Sequence, residues 1–155
     1  MKKVFLLLAG LILAGTGFSQ SDYGYKHALG LKFPGGLSVT YKVFVSDNNN
    51  IEAQAMFWNK GFRAVGLYEF NFEISGADGL HWFVGPGAHI GFWKSQYQKD
   101  YNSSADFGVD GIIGLDYKFR NIPFNVSLDW EPSIVFAGSN GFTPAYGGLA
   151  IRYTF

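Results

Sequence analysis

The sequence predicts an all-β protein: an eight-stranded antiparallel up-and-down transmembrane β-barrel preceded by a cleavable signal peptide. Three observations predict it. Apolar and polar residues alternate with period two from about Tyr25 to Phe155, in segments divided by turn signals. Beyond the leader no apolar run approaches the roughly 18 residues that a membrane-spanning helix needs. The closing stretch alternates strictly, with Leu149, Ile151, Tyr153 and Phe155 on one side and Gly148, Ala150, Arg152 and Thr154 on the other.

The chain opens with the basic Met1-Lys2-Lys3, and an apolar run follows from Val4 to Ala14. Gly17-Phe18-Ser19-Gln20 then offers small residues for cleavage, so residues 1–20 read as a signal peptide and 21–155 as the barrel. There is no Cys, which excludes a disulfide framework and a lipid-modified N-terminal cysteine. Twelve basic residues face twelve acidic ones. Removing Lys2 and Lys3 with the leader leaves ten against twelve, a net charge of −2. That balance argues against a nucleic-acid partner, which needs a basic surface.

The first strand is expected over Tyr25–Phe33, closed by Pro34-Gly35, and the second over Gly36–Val45. The polar turn Ser46–Asn50 leads to the third, Ile51–Asn59, and Lys60-Gly61 is a tight hairpin. The fourth covers Phe62–Phe72, with a turn at Glu73–Asp78. The fifth covers Leu80–Lys94, followed by a polar loop, Ser95–Ser104. The sixth is Ala105–Phe119, turned by Arg120–Pro123, and the seventh is Phe124–Phe136. A Gly/Ser/Asn loop over Ala137–Thr143 precedes the eighth, Pro144–Phe155. An even strand number leaves both chain termini on the periplasmic side. The Ser95–Ser104 loop then lies outside the cell.

The faces follow from parity. The seventh strand sets Phe124, Val126, Leu128, Trp130, Pro132, Ile134 and Phe136 against Asn125, Ser127, Asp129, Glu131 and Ser133. Phe44 breaks the pattern of the second strand. The pairs Phe70/Phe72, Tyr117/Phe119 and Tyr153/Phe155 fall at the periplasmic rim as one aromatic girdle. The polar faces carry Lys32, Lys42, Arg63, Lys118 and Arg152 with Glu52, Glu69, Asp110, Asp116, Asp129 and Glu131. Unpaired buried charge is costly, so these residues are expected to form an interior network. The inner glycines Gly85, Gly87, Gly108 and Gly114 are expected to make room for the basic side chains. So small a barrel should be plugged by its own side chains.

These residues resemble the small eight-stranded outer-membrane barrels of the OmpA/OmpX type, and more narrowly a set of short barrels from Bacteroidota. The stretches that carry the resemblance are Gly66-Leu67-Tyr68-Glu69, Gly85-Pro86-Gly87-Ala88-His89, Ser127-Leu128-Asp129-Trp130-Glu131-Pro132 and the closing strand. The resemblance spans essentially the whole mature chain. It implies a monomer in the outer membrane of a Gram-negative bacterium, among outer-membrane lipid and lipopolysaccharide. It also implies periplasmic chaperones and the barrel-assembly machinery as partners, with Leu149, Ile151, Tyr153 and Phe155 as the insertion signal. The short loops depart from adhesin-like members.

The function expected is non-enzymatic, an envelope-structural or surface-interaction role without a cofactor. Two alternatives stand beside it. A lipid A-modifying acyltransferase or deacylase would need a base and a nucleophile, and His89, Ser133 and Asp129 can be drawn as a triad. A secreted lipocalin-like barrel would instead hold a small apolar ligand inside. Gly85–His89 is not a phosphate loop, because no Lys-Ser/Thr follows. Three dispersed histidines give no zinc spacing. The Asp47–Asn50 turn lacks the glycine and closing glutamate of a calcium loop.

Overall fold

The structure is a computed structural model, and it describes residues 24–94, 104–137 and 141–155. The expected leader, most of the Ser95–Ser104 loop and residues 138–140 of the Ala137–Thr143 loop lie outside the described residues. Eight strands close into one barrel in sequence order, each antiparallel to its neighbours. They are β1 (His27–Pro34), β2 (Leu37–Phe44), β3 (Asn49–Trp58), β4 (Gly61–Glu73), β5 (Leu80–Trp93), β6 (Ala105–Lys118), β7 (Phe124–Ala137) and β8 (Gly141–Thr154). The seam is the β1–β8 ladder, from Ala28 opposite Thr154 to Pro34 opposite Gly148. We call the rim where β1 begins and β8 ends basal, and the opposite rim apical.

β8 starts at Gly141, before the expected Pro144. Residues 141–143 have loop composition, yet they pair with β7 as far as Val135 opposite Gly141. A register shift between Glu131 and Ser133 accommodates two prolines that cannot donate to the ladder, Pro132 and Pro144.

The two faces are sorted by chemistry in the inverse of a water-soluble core. Glu52, Glu69 and Glu131 point inward at 0% exposure, whereas Leu128 is 59% and Phe142 63% exposed on the outside. Outward aromatics gather at both rims, where the sequence suggested one girdle. Basally, Tyr68 contacts Phe70, Phe72 stacks on Trp82 at 4.4 Å and Tyr117 meets Phe119 at 4.8 Å. Apically, Phe62 lies between Phe57 and Phe92, and Phe107 tilts against Phe136. The apical belt is hidden in the sequence because its rings are single residues on five strands rather than i, i+2 pairs.

Inside, two small apolar clusters interrupt the polar filling. Tyr25, Ala28 and Phe44 close the basal end, with the Tyr25 and Phe44 rings edge to face at 5.2 Å. This explains why Phe44 breaks its strand's alternation. Val65, Leu67, Phe83 and Ile112 form the second cluster.

The four expected inner glycines do not make room for the long Lys and Arg side chains. A methyl on Gly108 would meet the His89 ring at 2.6 Å and the Ile134 carbonyl, and one on Gly114 would meet the Phe83 ring at 2.6 Å. Gly87 leaves space for Leu67, and Gly85 sits against the backbone of Tyr68. Gly30, directly opposite Arg152 on the seam, does accommodate a long basic side chain.

Candidate functional site in the barrel interior

Inward parity brings chemistry-bearing side chains together in three groups. The basal group centres on Lys42 of β2 and Arg152 of β8. The Lys42 ammonium lies 2.9 Å from Glu69, 3.4 Å from Glu52 and 3.5 Å from Asp116, and 4.6 Å from the centre of the Phe83 ring. Arg152 uses its whole fork. Its Nε donates to Thr40 Oγ1 at 2.8 Å, Nη1 to Ser127 Oγ at 2.6 Å, and Nη2 to Glu52 at 2.8 and 3.0 Å. Such multiple charge-assisted bonding fits the planar guanidinium and no other side chain. Asn125 donates to Asp116, which completes this group.

The middle group joins β1 to β7. The Lys32 ammonium sits 2.6 Å from Asp129 and 3.0 Å from Glu131. Gln54 links this group to the basal one, because its Nε2 donates to both Glu131 and Glu52 at 3.2 Å. The apical group holds Arg63, Asp110 and His89. Arg63 Nη2 lies 2.5 Å from Asp110 Oδ1, and its guanidinium stacks over the Tyr146 ring at 3.9 Å. His89 Nδ1 lies 2.9 Å from Asp110 Oδ2, and Nε2 is 4.0 Å from Asp106.

Ten of the eleven ionisable residues singled out from the sequence fall in these three groups: Lys32, Lys42, Glu52, Arg63, Glu69, Asp110, Asp116, Asp129, Glu131 and Arg152. Lys118 does not. It is half-buried at the basal mouth, where its ammonium donates to the carbonyls of Phe119 and Ile122. Asp106 joins the apical group without having been expected there, although its inward parity with Asp110, four residues on, is a signal that could have found it. Most of these pairs join strands that are not neighbours: β1 to β7, β2 to β4 and β6, β3 to β8. They therefore cross the lumen. Buried charges of this kind are tolerable only when paired and further hydrogen-bonded.

The residues drawn as a triad are separated into two groups. His89 is held by Asp110, and Asp129 is held by Lys32. Ser133 faces inward on β7, directly opposite Asp110 in the β6–β7 ladder. The remaining histidines serve the basal rim. His27 stacks on Phe155 and sits 2.9 Å from the Tyr41 hydroxyl, and His81 faces Asp116 across the β5–β6 ladder. Among the described residues no group of three or more His, Cys, Asp or Glu has metal-holding geometry.

No protein-family model matches this chain. No curated protein matches it either. What the interior can do is therefore argued from its geometry. The groups are buried and reach across the axis, with Lys32, Lys42, Arg63 and Arg152 each shared among or bound to inward carboxylates, which is the arrangement of a filling rather than of a binding cleft.

Proposed function

We propose that this chain is a non-enzymatic integral outer-membrane β-barrel with a plugged polar interior and an envelope-structural or surface-interaction role. One observation carries the reading: the barrel is inverted, with paired charges inside and large apolar side chains outside. In lipid only helices and closed barrels satisfy every backbone group, and this barrel is closed. Aromatic belts at both rims fit the two membrane interfaces. A lipocalin-like carrier needs an apolar cavity, and here that space holds Lys32, Lys42, Arg63 and Arg152 with their carboxylates.

In this reading the protein resides as a monomer in the outer membrane of a Gram-negative bacterium. It resembles barrels of the OmpA/OmpX type, and the source suggested by its sequence is Bacteroidota. Periplasmic chaperones deliver it to the assembly machinery, and β8 with Leu149, Ile151, Tyr153 and Phe155 is the segment that machinery reads. Membrane fractionation combined with heat-dependent gel mobility tests the location. The protein should pellet with outer membranes and migrate faster unheated than boiled; recovery in the soluble fraction would refute it. Lipid A mass spectra from wild-type and deletion strains test the non-enzymatic reading. Identical acyl patterns are expected, and an altered pattern that His89→Ala reproduces would replace it with lipid modification.

A further inference from the structure

The apical group holds a histidine nitrogen that the surrounding side chains do not use. His89 lies directly opposite Gly108 in the β5–β6 ladder, and Asp106 directly opposite Gly91. Each side chain therefore leans over a glycine of the other strand. A methyl on Gly108 would meet the His89 ring at 2.6 Å, and one on Gly91 would collide with the Asp106 carboxylate. The result is a diagonal pair, with His89 Nε2 4.0 Å from Asp106 Oδ1. Asp110 fixes the tautomer of the neutral ring. An ionised carboxylate only accepts, so the Nδ1 atom 2.9 Å from Asp110 Oδ2 is the donor and Nε2 presents a lone pair. Asp106 Oδ1 faces that lone pair as a second acceptor. Neither atom has a hydrogen-bond partner among the described residues, although His89 and Asp106 are only 5% and 6% exposed. No Lys or Arg of the described residues pairs with Asp106. The described buried side chains as a whole include four Lys or Arg against seven Asp or Glu. Two facing acceptors in a lumen with excess negative charge call for a cation between them.

We propose that His89 Nε2 and Asp106 Oδ1 hold a divalent transition-metal ion of the zinc, copper or nickel kind at the apical end of the lumen. The donor set chooses the class. Imidazole nitrogen suits these metals, whereas calcium and magnesium take oxygen. Bonds of about 2.0–2.2 Å from each donor bridge the gap, and closing it by less than about 1 Å gives a tetrahedral angle. Asp110 is the positioning residue, because a ligating histidine gives its other N–H to a carboxylate that fixes the ring. Arg63 in turn holds Asp110 at 2.5 Å. Among the described residues no third His, Cys, Asp or Glu completes the set, so water takes the remaining positions and the affinity is modest. The ion ties β5 to β6 and requires no reaction. The proposal is therefore independent of where the barrel resides and compatible with a non-enzymatic role.

Calorimetric titration with Zn²⁺ of the untagged barrel, refolded in detergent and freed of metal by a chelator, tests the proposal. One ion per chain is expected, and excess Ca²⁺ or Mg²⁺ should not displace it. Asp106→Asn and His89→Gln should each weaken binding by at least about tenfold. Gly91→Ala keeps both donors but pushes the Asp106 carboxylate aside, and should weaken binding as well. His27→Gln and His81→Gln should bind as wild type does. Heat-dependent gel mobility checks that each variant has folded. A second readout needs no variant: Cu²⁺ bound to wild type should show coupling to one imidazole nitrogen in its electron paramagnetic resonance spectrum. Folded wild type that binds no stoichiometric Zn²⁺ would overturn the proposal, leaving a proton as the cation between the two acceptors. So would binding that survives both Asp106→Asn and His89→Gln. Binding lost instead with His27→Gln or His81→Gln would mark an adventitious site at the basal rim and overturn it equally.

Discussion

Replacing Arg152 with Met isolates the contribution of the basal charge group. Met preserves most of the side-chain stem beside Gly30 and removes only the guanidinium. That guanidinium makes bonds to Thr40, Ser127 and both oxygens of Glu52. Adding them up as charge-assisted bonds would overstate the effect, because the unfolded chain also finds partners for them. More of the cost comes from the carboxylate left behind. Removing one partner of a buried pair costs about 3–5 kcal/mol. Here Lys42 remains 3.4 Å from Glu52, so the lower end of that range, about 3 kcal/mol, is expected. Urea unfolding of the refolded protein in lipid vesicles, followed by tryptophan fluorescence, measures it. A double-mutant cycle with Glu52→Gln gives the pair's own share. The double variant should be less destabilised than the sum of the singles, since it removes both charges of the pair together. An Arg152→Met variant within about 0.5 kcal/mol of wild type, the range of an ordinary surface change, would refute the reasoning.

Ile113 lies mid-strand on the outside of β6, and Ile113→Lys should cost about 2–4 kcal/mol in vesicles if it faces the bilayer midplane. No cost in the same urea titration would contradict a lipid-facing exterior. Gly108→Ala places a methyl against the His89 ring and the fixed Ile134 carbonyl, so a loss of about 1–3 kcal/mol and a lower yield of the fast-migrating form are expected. Unchanged yield would mean that β6 and β7 can part more easily than their ladder suggests. Planar-bilayer recordings of wild type should show no stable conductance steps, because the ion pairs cross the lumen. Regular steps that persist in a purified preparation would refute the plug.

The strands and their faces are legible in the sequence because period two is a direct imprint of the pleat. Once Lys42 and Val43 are assigned to opposite sides, the rest of β2 follows. Parity gives direction but neither height nor angle around the axis. It turns His89, Asp129 and Ser133 all inward, yet the register puts Asp110 beside His89 and Lys32 beside Asp129. The room His89 needs comes from Gly108 directly across the ladder, a relation set by strand stagger and invisible within either strand alone. The inward apolar residues Val65, Leu67, Phe83 and Ile112 are obscured for the opposite reason. Apolar residues on both faces blur an alternation, and the outward set dominates it. The start of β8 is hidden because Gly141 and Pro144 carry the composition of a loop, while pairing with β7 is decided by the neighbour.

The Arg152–Glu52 bond joins the last strand of the barrel to the third. The same segment of β8 also zips onto β1 to form the seam, with Arg152 opposite Gly30. Closing the cylinder and delivering the counter-ion to Glu52 are therefore one event. Until β8 arrives, Glu52 shares Lys42 with Glu69 and Asp116, three carboxylates on one ammonium. Such a lumen has to stay wet. The closed seam places a second cation beside Glu52, so the strand that completes the ring also completes the charge network.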